Sequence, residues 1–197
     1  MSDLVKKMEN SAVIRILTGQ FFLVICCAIY LIWWYRGYRP GTIVSRAGGV
    51  NGFLLLCMML SGITGIFLSL SKPEITRELK ADPYVILFSG IAGYLLLLFI
   101  TRNLFHRAVT TELLLIVGWS ALELTVLTRL NGAKVLTDSG FLAMCLVIAA
   151  AFIISIALYV AYYRMEETKA FYAAMVPLVT EAVTMMILLG MVGLAGR

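Results

Sequence analysis

The sequence predicts an all-α polytopic membrane protein, a bundle of six transmembrane helices with little folded outside the bilayer. Three observations carry this. Of 197 residues 61% are hydrophobic and 14% charged, where a soluble domain is about a quarter charged. The charges gather in short clusters between long apolar runs. Six of those runs, 12–34, 48–70, 84–101, 108–128, 139–163 and 170–194, approach or exceed the roughly 20 residues a helix needs to cross the hydrocarbon core. Helices pair every backbone polar group within the segment, as a bilayer requires.

Residues 1–11 are polar and mixed in charge, with Leu4, Val5 and Met8 able to face a membrane surface, so they read as a polar or interfacial segment ahead of a single domain at 12–197. Lys6 and Lys7 are offset by Asp3 and Glu9, and no A-x-A site follows. The first apolar run therefore reads as a retained helix. It closes on Trp33, Trp34 and Tyr35 with Arg36, Tyr38 and Arg39, an aromatic belt with snorkelling arginines. Pro40-Gly41 then breaks it. Asp82-Pro83 suits the start of the third span, Asn131-Gly132 a turn after the fourth, and Asp138-Ser139 a cap for the fifth. Small residues four apart, Ser61 and Gly65, Ser89 and Gly93, Ala151 and Ser155, mark sites of close helix approach.

Tyr30, Tyr94 and Tyr159 recur 64 and 65 residues apart, each followed by an arginine, Arg36, Arg102 and Arg164. Three helical hairpins of common ancestry would give this echo, although tyrosine and arginine also collect at helix exits in general. The formal charge is +5, but the basic residues sit at helix ends facing headgroups, which argues against nucleic acid. They divide nine to seven between the two faces. That small excess puts the termini inside, while the arginine-rich loops of the other face point the opposite way. Cys26, Cys27, Cys57 and Cys145 all lie in apolar runs without metal spacing, and read as small buried hydrophobes.

Charges inside spans are the candidates for function, since each costs at least a few kcal/mol at mid-bilayer. Glu112, Glu123 and Glu181 fall there. Glu112 and Glu123 are eleven residues apart, about three turns, with Trp119 on the same face. This stripe suits a cation or proton site, and equally a carboxylate bonded to a neighbouring helix. Around Glu181, Pro177 removes an N–H and kinks the helix, while Thr180 and Thr184 offer hydroxyls. Such a cluster suits a small cation, a protonated amine or a proton, and also a packed kink with a protonated Glu181 bonded internally.

Arg102, His106 and Arg107 form a basic turn able to contact a lipid headgroup. His106 is the only histidine, and serine elbows, P-loops and dinucleotide fingerprints are absent. No cofactor is expected. The expectation is a small-solute or ion transporter or channel of the cell membrane, with lipid, a solute, cation or proton, and a homo-oligomer or another membrane subunit as partners. A non-catalytic assembly subunit of a larger complex and a lipid-modifying enzyme are the alternatives.

Overall fold

A computed structural model of the chain describes residues 2–40, 49–70, 83–103 and 111–195. Among them there is no strand. The helices are α1 (Ser2–Tyr38), α2 (Gly49–Leu70), α3 (Pro83–Asn103), α4 (Thr111–Gly132), α5 (Asp138–Ala161), the short α6 (Glu167–Ala173) and α7 (Val176–Ala195), with one 3₁₀ turn at Tyr162–Arg164. The chain is a helical membrane bundle. Five stretches are long and apolar enough to cross a bilayer; in α3 the described apolar part is Phe88–Ile100.

Successive helices pack as hairpins: α1 on α2, α3 on α4, α5 on α7. Further contacts join α1 to α7, α4 to α5 and α2 to α4. The core lies between α1, α4, α5 and α7, where Ile16, Leu127, Leu130, Met144, Ile148 and Leu188 are buried together. In α4 the buried positions 113, 116, 120, 123, 127 and 130 recur at helical spacing and carry one face inward. By contrast α2 and α3 turn large side chains outward, among them Phe53, Phe67, Phe88 and Phe99, as lipid-facing helices do.

Several boundaries differ from the sequence reading, each for a local reason. α1 is 37 residues, about 55 Å at 1.5 Å per residue. It outruns the bilayer, and residues 2–11 are its opening turns. The last span is interrupted just before Pro177. α6 ends at Ala173 and α7 begins at Val176, which places Pro177 in the first turn of α7, where a missing N–H costs no intrahelical bond. The N–H groups of Ala174 and Met175 close the break onto the carbonyls of Ala170 and Tyr172, both at 3.0 Å.

The turn after α4 comes two residues later than Asn131-Gly132 suggests. Lys134 takes the left-handed conformation, at φ 55°. Its N–H bonds Asn131 at 2.9 Å and that of Val135 bonds Leu130 at 3.0 Å, the Schellman pattern. Val135 and Leu130 then meet in the core. The cap of α5 is Thr137 rather than Asp138 or Ser139: its backbone is extended and its hydroxyl accepts from the Gly140 N–H at 3.1 Å. Asp138 becomes the first helical residue, well placed for the helix dipole.

Of the small-residue pairs, Gly65 meets Leu23 and Gly19 of α1 closely, while Gly93 has open space around it. On α3 it is Gly90 that approaches α4, beside Ala121.

Candidate functional site

The break between α6 and α7 opens the bundle at one end. Where the helix stops, Ala173 and Ala174 leave room, and a cleft runs inward between α1, α4, α5 and α7. Its cavity is small, about 90 Å³, and open at the mouth. Its walls are Tyr30 and Trp34 from α1, Leu115 and Ile116 from α4, Leu158 and Tyr159 from α5, and Pro177 and Leu178 from α7. Apolar and aromatic walls with few polar groups are the usual build of a small-molecule site.

Two carboxylates line it. Glu112 lies in the first turn of α4, with an exposed side chain at the mouth, where the helix dipole favours an anion. Glu181 lies deeper, 7% exposed, one and a half turns into α7. Trp34 holds the rim together. Its indole stacks on Tyr38 at 4.6 Å and on Phe171 at 6.2 Å. The indole N–H donates to the Phe171 carbonyl at 3.4 Å, which fastens α6 to α1. Arg39 rests over the Tyr35 ring at 5.1 Å, within cation–π range.

Glu123 does not line the cleft. It is 0% exposed and sits behind the floor, with neither oxygen hydrogen-bonded. The Gln20 amide of α1 lies close enough to interact with it, but no bond of good geometry joins them. Glu181 and Glu123 lie within reach of each other's charge. The expected stripe therefore splits: Glu112 faces the mouth, Glu123 faces Gln20, and Trp119 packs on the apolar core with a buried, unpartnered indole N–H. Thr180 and Thr184 donate back into their own helix, to the carbonyls of Pro177 and Thr180, each at 2.8 Å. Their oxygens keep acceptor capacity only.

Arg102 is exposed in the last turn of α3; His106 and Arg107 fall outside the described residues. Arg129 is 9% exposed and donates to the Ser69 carbonyl at the end of α2 at 3.2 Å, where a cation satisfies the helix C-terminus. Two polar residues escaped the sequence reading. Gln20 is the chain's only glutamine and lies inside an apolar run, a signal that a search for ionisable groups alone passes over. Ser69, one residue from the end of α2, carries no comparable signal.

Among the described residues no three His, Cys, Asp or Glu side chains stand together as metal ligands. Compared with known proteins, the chain matches no family model, no curated protein and no solved structure.

Proposed function

We propose that this protein is a transporter or channel of the cell membrane for a small solute or ion, and that it accepts a cationic group in the cleft. The observation that carries the reading is Glu181, a buried carboxylate at the inner end of an aromatic-lined cleft. Ionisable groups inside a membrane face cavities and mark solute or ion routes. Glu112 at the mouth attracts a cation, the aromatic wall of Tyr30 and Trp34 shields it from lipid, and Glu181 receives it. A protonated amine with a small apolar body fits both the charge and the walls.

The test is thermal-shift screening of purified wild type and Glu181→Gln against amines and monovalent cations. A ligand that binds only the folded state at about 100 times its Kd stabilises by about 2.7 kcal/mol, and the Gln variant should lose that gain while keeping the ligand-free midpoint. Identical profiles for the two proteins would remove Glu181 from the site.

A second reading draws support from the outward aromatic residues of α2 and α3: a subunit that docks on another membrane protein. Co-purification of a stoichiometric partner in mild detergent would favour it.

A further inference from the structure

Beneath the cleft floor, polar side chains continue toward the opposite end of the bundle without hydrogen bonds to account for them. Glu123, Gln20 and Ser69 are all 0% exposed. Both oxygens of Glu123, both amide atoms of Gln20 and the Ser69 hydroxyl lack a partner. Each lies near the next, Ser69 by way of Gly19, the residue before Gln20. Glu181, on the floor, is within electrostatic reach of Glu123, and Gln20 lies beside Glu123. Ser69 presses on Gly19, the neighbour of Gln20, so closely that a Cβ on Gly19 would stand 2.5 Å from its hydroxyl. The Ser69 carbonyl accepts from Arg129, in the last turn of α4 and at the opposite end from Glu112.

A buried polar group left unsatisfied costs about 1–3 kcal/mol. One orphan is tolerable; three fully buried polar side chains without a hydrogen bond of good geometry are not explained by packing. Grouped polar atoms of this kind are where proteins bury water.

We propose that Glu181, Glu123, Gln20 and Ser69 form a hydrated path carrying protons between the cleft and the opposite face. A hydronium ion in the cleft protonates the Glu181 carboxylate. The acid passes the proton through water to Glu123, and Glu181 returns to its ionised form. Glu123 releases it through water oriented by the Gln20 amide and the Ser69 hydroxyl. One proton enters and one leaves, with no other bond changed. Cys27 of α1 lies within electrostatic reach of both carboxylates, Tyr159 of α5 lines the cleft, and the fixed charge of Arg129 disfavours a proton lingering at its end. The path goes beyond solute binding in the cleft, which needs no route below it.

The test uses the purified full chain in neutral-lipid vesicles loaded with pyranine, with an external acid jump and charge balanced by potassium and valinomycin. Wild type should acidify the lumen faster than protein-free vesicles, and Glu123→Gln should lose the whole increment. Gln20→Leu leaves both carboxylates in place and should lose it too, so the test stands even where Glu123→Gln fails to incorporate. Wild type that matches protein-free vesicles, or variants that acidify at the wild-type rate, overturns the path. Stabilisation of Gln20→Leu by amines in the thermal-shift assay separates loss of the path from loss of the cleft.

Discussion

Adding one methyl group at Gly19 tests how tightly α1 and α2 are joined. The new Cβ would lie 2.5 Å from the Ser69 hydroxyl, 2.6 Å from the Ser69 backbone nitrogen and 2.8 Å from the Gly65 carbonyl. Ordinary heavy-atom contact begins near 3.5 Å, so the methyl is too close by about 1 Å. Two of the three obstacles are backbone, and only moving the helices apart relieves them. Overpacking of this kind costs about 1–3 kcal/mol, and the rigid neighbours put Gly19→Ala at the upper end. Alanine returns about 1 kcal/mol of helix propensity, which leaves a net loss of about 2 kcal/mol. Gly93→Ala is the control, since nothing lies within 4 Å of its Cβ, and it gains the propensity alone. Thermal unfolding of both variants in detergent, followed by tryptophan fluorescence, reads the difference. A Gly19→Ala protein that melts at or above Gly93→Ala would refute the close approach.

Other outcomes follow from single contacts. Lys134→Gly relieves a left-handed residue in the α4 turn and should stabilise by about 0.5–1 kcal/mol in the same melt. Thr137→Ala removes the cap of α5 and should cost about 1 kcal/mol. Arg129→Met leaves the Ser69 carbonyl without its guanidinium and should cost about 1–3 kcal/mol. A cysteine at Ser139, at the start of α5, and one at Thr168, in α6 beyond its far end, both exposed, should react with an impermeant maleimide from opposite sides of the membrane.

The spans were readable from sequence because hydropathy is a local property that the bilayer selects directly. The break in the last span was not, since apolar residues run on through 167–193 while the stop depends on where a single proline can be accommodated. Caps failed by one residue for a similar reason: Thr137 and Asp138 are both good capping residues, and only backbone conformation decides which one caps. The intramembrane carboxylates were found as positions, but their grouping was not. Spacing puts Glu112 and Glu123 on one face of α4, yet the first meets an open cleft and the second meets α1. That difference lies in the neighbouring helices. Gln20 stands out in sequence as a lone amide in an apolar run, but its place beside Glu123, and that of Ser69 against Gly19, depends on how α1, α2 and α4 come together.

The position of α4 bears on how the protein is made. It is the least apolar of the candidate spans and the most deeply packed, and it carries Glu112, Glu123 and Arg129. Glu123, near the middle of the helix, opposes insertion by roughly 3 kcal/mol, while Glu112 and Arg129 sit in its end turns. The helices that shield this face from lipid include α5 and α7, which the ribosome completes after α4. Until α5 and α7 arrive, Glu123 has the earlier helices alone to shelter it. A nascent chain halted after residue 135 holds a span apolar enough to cross the membrane but with its buried carboxylate only partly covered, which makes the final hairpin the step that completes the bundle.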